Sequence, residues 1–195
     1  MIALLTGPIG VGKTTVARRV VALARRRGLT CGGLLTPAII QGGRKTGIMA
    51  VAVRDGQQRL LARTWSDTQC PTEAEAVRTG HYVFDEATLA WGLQVMQEDL
   101  AAGYDLVVID EIGRLELEQG RGFAPLLADL RAWAARAAPL PRRWALVIVR
   151  WSLREALRQA LGLRGGPEYV VSVENRSRLP QEIAGQIANL SHDSG

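Results

Sequence analysis

The sequence predicts a doubly wound α/β sheet, mostly parallel, that carries an antiparallel hairpin extension. Three observations predict it. Ile2 to Leu5 is a short apolar run that breaks into a glycine-rich turn, and a helical pattern follows at once. Tyr104 to Ile109 is a near-continuous apolar run, the mark of a strand covered on both faces, and it ends in Asp110-Glu111. Elsewhere apolar runs alternate with amphipathic ones, except over residues 34–64, where turn signals follow one another too closely to admit a crossover helix.

The glycine-rich turn is Gly7-Pro8-Ile9-Gly10-Val11-Gly12-Lys13-Thr14, which fits G-x-x-x-x-G-K-[ST]. Glycines let the backbone curl until successive N–H groups point inward at phosphate oxygens. Lys13 supplies a point charge for the β- and γ-phosphates, and the Thr14 hydroxyl is a candidate Mg²⁺ ligand. The following helix turns its positive end toward the same anion.

In the helix after the turn, Val16, Val20, Leu23 and Ala24 share a face, with Arg18, Arg19, Arg25 and Arg26 off it and Gly28 placed to end it. Cys31 to Thr36 reads as a second strand stopped by Pro37. The turns Gly42-Gly43 and Asp55-Gly56 then separate Ala38–Ile40, Ile48–Val53 and Leu60–Ala62, a three-stranded antiparallel meander. Arg44 and Lys45 beside the first turn are ordinary surface residues or ligand contacts. Trp65 to Thr79 is polar and reads as loop with a turn of helix, and His81 is a lone histidine.

Asp85 caps a helix whose Leu89, Leu93, Met96 and Leu100 face the core, with Gly103 after its end. Phe123, Leu126, Leu127, Leu130, Trp133, Ala134 and Ala137 trace another helical face, closed by Pro139 and Pro141. Trp91 and Trp133 lie near such faces. Ala145–Val149 is a buried strand, and Ser152-x-x-Glu155 reads as a capping box opening a helix with Leu153, Ala156, Leu157, Ala160 and Leu161. Glu168–Val173 is the last strand. A final helix from near Pro180 turns Ile183, Ile187 and Leu190 inward. These elements make one domain over residues 1–190, with 191–195 a frayed tail.

At 195 residues and 47% hydrophobic the chain can bury one good core. No stretch is long and apolar enough to span a bilayer, so a cytoplasmic protein without a membrane partner is expected. Cys31 and Cys70 stand apart with no CxxC pairing, so neither a disulfide framework nor a zinc site is signalled. The net charge of +5 invites a nucleic-acid reading, but the arginines are scattered and no stacking aromatics are interleaved with them. Nucleic acid is therefore not an expected partner.

In doubly wound sheets ligands sit beyond the carboxyl ends of the strands, and Thr6, Asp110, Arg150 and Glu174 all fall at such ends. An acid delivered by a buried strand is the Walker B arrangement, in which Asp110 holds the Mg²⁺ shell and Glu111 orients or deprotonates a water. Arg150, just ahead of a helix start, is either a sensor of the γ-phosphate or a solvated arginine. Asn175-Arg176 are candidates for contact with the base, and Trp151 for reporting nucleotide by fluorescence.

Taken together, GPIGVGKTT, CGGLLTPAIIQGGRKTGI, TGHYVFD, VIDEIGRLEL and VENRSRLPQEI resemble, in the right order, segments of the cancer-related nucleoside-triphosphatase family, small P-loop enzymes also described from thermophilic microbes. The resemblance spans nearly the whole chain. It implies a RecA-like P-loop fold and Mg²⁺-dependent, slow hydrolysis of nucleoside triphosphates to diphosphate and phosphate, with broad base selectivity. By motif match, the phosphates would be bound by Gly7, Pro8, Ile9, Gly10, Val11, Gly12, Lys13, Thr14 and the adjoining Thr15. A second nucleotide-contacting segment would be Leu106, Val107, Val108, Ile109, Asp110, Glu111, Ile112 and Gly113. The catalytic set is then Lys13, Glu111, and Arg114 or Arg150 for transition-state charge, with Thr14 and Asp110 at the metal. The chain departs from the family pattern at Arg114 and His81, where lysine is usual, and at Arg150-Trp151. Two other readings stay open: a kinase for a nucleotide or small metabolite, with Arg142-Arg143 and Arg154 with Arg158 as lid candidates, and a nucleotide-dependent binding module acting on nucleic acid or a protein. A monomer or weak homo-oligomer is expected.

Overall fold

The computed structural model describes residues 1–65, 77–135 and 143–192, apart from the side chains of residues 78, 79, 111 and 190–192. The expectations placed on Cys70, Ala137, Pro139, Pro141, Arg142 and the last three residues fall outside that description, as does the inward side chain expected of Leu190.

The order is β1 (Ile2–Thr6), α1 (Lys13–Arg26), β2 (Cys31–Leu35), β3 (Ala38–Gln41), β4 (Arg44–Ala52), β5 (Gln58–Thr64), β6 (Val77–Thr79), β7 (Tyr82–Phe84), α2 (Glu86–Ala102), β8 (Leu106–Ile112), α3 (Arg114–Leu117), α4 (Leu126–Ala135), β9 (Trp144–Val149), a 3₁₀ turn (Trp151–Leu153), α5 (Arg154–Leu161), β10 (Glu168–Val170) and α6 (Leu179–His192). One ten-stranded sheet runs β10-β1-β9-β8-β2-β4-β5-β7-β6, with β3 paired to β4. The first five strands are parallel. The other five are antiparallel, from the β2–β4 pair outward.

Strand alternation sorts the parallel strands' side chains to two cores. Ile2, Leu4, Val107, Ile109, Ala145 and Val147 pack with Leu126 and Leu130 of α4 and Leu157 of α5. Ala3, Leu5, Leu106, Val108, Leu146 and Ile148 pack with Val16 and Val20 of α1 and Ile183 and Ile187 of α6. Helices cover both faces, as the doubly wound expectation requires. The cap signals at Asp85 and Gly28 also hold. Asp85 accepts from the Thr88 amide at 2.6 Å, and α1 ends with Gly28 N–H donating to Arg25 O (3.0 Å) and Leu29 N–H to Ala24 O (3.1 Å).

β2, the strand at the seam that joins the two halves of the sheet, depends on one glycine for its close approach to β8. Gly33 in β2 sits at φ 98°, and a Cβ there would stand 2.0 Å from the Val108 carbonyl oxygen. Its amide donates instead to the buried Asp99 carboxylate of α2 at 2.7 Å, and Arg54, in the turn after β4, grips the other oxygen of that carboxylate at 3.1 Å. Sequence patterning offered no sign of Asp99, because a lone acid on a helix gives no periodic signal.

Four expectations are corrected. Val77–Thr79 and Tyr82–Phe84 form a hairpin turned at Gly80-His81, so the extension has five strands instead of three. The strands are three residues each, too short for an alternation pattern to show. The Ser152 capping box does not form: a 3₁₀ turn takes residues 151–153, α5 starts at Arg154, and no side chain caps it. Phe123 precedes α4 instead of lying in it, and Ala134 and Ala156 are exposed. The last strand stops at Val170, because Ser172 and Asn175 close the chain into a turn.

Candidate phosphate-binding site

The glycine-rich turn leaves β1 at Thr6, which is fully buried. Gly7 follows at φ 149°, where a Cβ would meet the Val171 carbonyl oxygen at 2.7 Å, and Gly10 and Gly12 adopt φ 79° and 102°. Only glycine permits such a path without strain. The Val171 amide donates to Thr6 O at 2.8 Å and fixes the loop's root against the chain after β10. α1 then begins at Lys13 with no side-chain cap and no acidic residue in its first turn, which leaves its positive end to an anion. Lys13 Nζ donates to the carbonyl oxygens of Gly7 (3.0 Å) and Pro8 (2.9 Å), which holds the ammonium over the loop. Thr14 is half-buried beside it, and Pro8, Ile9, Gly10 and Thr15 are exposed.

The sheet order decides what faces this loop. β9 lies between β1 and β8, so Arg150, the residue after β9, emerges between the loop and the acid end of β8. Arg150 is half-buried and holds an electrostatic or hydrogen-bonded partner. β8 carries a bulge at the acids: Ile109 pairs with Val147 and Ile112 with Val149, so three steps along β8 match two along β9. The extra residue reverses the alternation, and Ile112 returns to the core of Val107 and Ile109. Asp110, at the bulge, is 1% exposed and accepts from the Thr36 amide at 2.9 Å. The backbone of Glu111 lies in the same bulge.

Thr36, just past β2, was not singled out by sequence, since a threonine before a proline carries no pattern of its own. Its hydroxyl oxygen and that of Thr6 are buried without a hydrogen-bond partner among the described residues. Both lie where strand ends converge. Gly113 is held by another missed residue: buried Glu116 accepts from the amides of Gly113 (2.8 Å) and Phe123 (3.2 Å) and secures the turn after the acids.

Other expected site residues sit elsewhere. Leu106, Val107, Val108 and Ile109 are at most 2% exposed and spent on the two cores, and Ile112 is equally buried, so these side chains carry the acids without offering a surface to a ligand. Arg114 lies exposed on α3, 3.6 Å from Glu118, one helical turn along. The lid candidates Arg154 and Arg158 pair with Glu168 at 3.7 and 2.6 Å, which ties them to β10. Arg143 is half-buried beside β9, and Arg142 lies outside the described residues.

Beyond β10 the chain closes on itself. The Asn175 side chain accepts from Ser172 N–H at 2.8 Å and donates to Val170 O at 2.7 Å. Ser172 also holds the exposed Glu174 carboxyl below its usual range. Both ends of the Asn175 amide are thus used within the loop.

A family model described as NTPase matches residues 2–184. Nucleoside-triphosphatase THEP1 of Ignicoccus hospitalis is 35% identical over 114 residues, and the match spans 58% of this chain and 60% of that relative. The protein of the same name from Thermofilum pendens is 31% identical over 188 residues, 96% of this chain and 95% of that one. The solution structure of a human cancer-related nucleoside triphosphatase superposes with a TM-score of 0.69 at 26% identity, covering 99% of this chain and 98% of that one.

Proposed function

The chain belongs to the NTPase family, and from that premise we propose that it hydrolyses nucleoside triphosphates to the diphosphate and phosphate. The observation that carries this reading is the placement of three unlike groups on neighbouring strand ends: the phosphate loop after β1, Arg150 after β9 and Asp110 in the bulge of β8. A binding module needs the first of these alone.

Phosphoryl transfer demands positioning and charge neutralisation more than covalent help. The loop amides and Lys13 hold the β- and γ-phosphate oxygens in this reading. Thr14 and Asp110 are the metal-side groups. Their donors are oxygens only, and among the described residues no group of three or more His, Cys, Asp or Glu side chains is placed to hold a metal ion by itself. That set fits Mg²⁺, which keeps waters and phosphate oxygens in its shell and asks for one or two protein ligands. The unpartnered hydroxyls of Thr6 and Thr36 suit such a hydrated surrounding. Bound there, Mg²⁺ would neutralise charge across the β- and γ-phosphates. Glu111 orients the attacking water and takes its proton, and Arg150 approaches the γ-phosphate from between the other two strand ends. Arg114, paired on the surface, is left without that role. Slow turnover is expected where such an arginine is imperfectly placed, since well-placed arginines contribute about 10³- to 10⁵-fold. The protein acts in the cytoplasm as a monomer or weak homo-oligomer.

Replacing Glu111 by Gln is expected to lower phosphate release about 10²- to 10⁴-fold while nucleotide affinity holds, read by a phosphate assay beside calorimetry. Undiminished release would remove Glu111 from the mechanism.

A further inference from the structure

Six large apolar side chains are exposed among the described residues, and three of them stand together: Trp151 at 44%, Val170 at 42% and Val173 at 64%. They line one cavity of about 470 Å³ together with Pro8 and Val11 of the phosphate loop and the polar Ser172 and Glu174. That volume is in the range of small-molecule sites, and clustered exposed apolar surface is the usual mark of a ligand. The cavity is continuous with the phosphate site through backbone as well. The Trp151 amide reaches Gly7 O at 3.4 Å, and the Val171 amide holds Thr6 O.

The indole is fixed in place. The Arg154 guanidinium lies 3.9 Å from its ring centroid, donates to the Trp151 carbonyl oxygen at 3.0 Å and also pairs with Glu168 at 3.7 Å. A flat aromatic side chain held this way at the rim of a cavity offers its surface without further loss of rotamer freedom. The hydrogen-bonding groups near the rim are turned inward to one another: the Asn175 amide, the Ser172 hydroxyl and the Val170 carbonyl all bond within the loop.

We infer that this cavity receives the nucleobase of the bound triphosphate, stacked on Trp151. The inference deepens the proposed function and rests on it for the phosphate end of the ligand. The base is held chiefly by its π-face: the Asn175 amide, which would read an edge, is already paired within the loop, and Glu174 is held by Ser172. Any of the four bases is then accepted, with purines ahead of pyrimidines because they cover more of the indole. Trp151 thereby supplies the base affinity that the sequence assigned to Asn175 and Arg176.

The test compares Mg²⁺-nucleotide binding with that of inorganic tripolyphosphate, which fills the phosphate site and has no base. Calorimetry is run on the wild type, Trp151→Ala and Trp151→Phe with ATP, GTP, CTP, UTP and tripolyphosphate, and phosphate release is assayed in parallel. Trp151→Ala is expected to weaken all four nucleotides about tenfold, within the range for base–aromatic stacking, and to leave tripolyphosphate unchanged. Trp151→Phe should recover most of the loss. Nucleotide affinity unchanged in Trp151→Ala, or an equal loss for tripolyphosphate, overturns the base site and leaves hydrolysis standing. A wild type that binds with this pattern but releases no phosphate supports the base site and overturns hydrolysis.

Discussion

The two halves of the sheet solve different problems. In the parallel half β1, β2 and β9 are buried at every position, so their apolar side chains are taken up by the cores and function is pushed to their carboxyl ends. In the antiparallel half β4 and β5 mix buried and exposed positions, and β3 has no buried residue. There α2 covers one face only, through Leu89 and Met96, against Ile48, Ala50 and Leu61. The parallel half is therefore a rigid platform whose edges carry the site, while the extension is a surface layer attached through β2. The site and the attachment share that strand: Gly33 within it takes the close approach of β8 and meets Asp99, and Thr36 just after it holds Asp110.

The sharpest way to break this contrast is a methyl group. Gly33→Ala drives a Cβ into the Val108 backbone, and a loss above about 4 kcal/mol or failure to fold is expected from denaturant titration. The same change at Gly42, in the β3–β4 turn with nothing within 4 Å, should cost about 1 kcal/mol, the left-handed backbone term alone. Equal costs at both positions would show that the two halves do not differ in rigidity as described.

A smaller effect tests the seam. Burial holds the Asp99 carboxyl above the ordinary aspartate range, against the lowering pull of the Gly33 amide and Arg54. The folded state thus binds its proton more tightly than the unfolded chain does. This group's share of stability is complete below its unfolded pKa and is lost as pH rises through the raised native one. Asp99→Asn keeps an oxygen for the Gly33 amide and should remove that decline from the pH profile of the denaturation midpoint. A profile identical to the wild type's would show that Asp99 does not titrate apart from its unfolded value.

Much of the platform was legible because its signals are local. The phosphate loop, the acid-ended strand and the caps at Asp85, Gly28 and Gly103 are each written in a few consecutive residues. What escaped depends on neighbours distant in sequence. The bulge that sets Asp110 appears only when β8 is laid against β9, and Thr36 matters only because β2 is paired to β8. The placement of β9 between β1 and β8, which sets Arg150 between the phosphate loop and the acid end of β8, follows from sheet order, a property no single segment encodes. Arg114 adjoins the acids in sequence, but where its side chain goes depends on the turn after β8: it opens α3 exposed, 3.6 Å from Glu118.

The central claim is that the parallel strand ends hydrolyse nucleoside triphosphates. Phosphate release from saturating ATP, GTP, CTP and UTP with Mg²⁺, wild type beside Lys13→Ala, tests it most directly. Slow release from all four, reduced about 10²-fold or more in the variant, is the predicted result. Equal release by both proteins, or tight nucleotide binding with no release by the wild type, would contradict it.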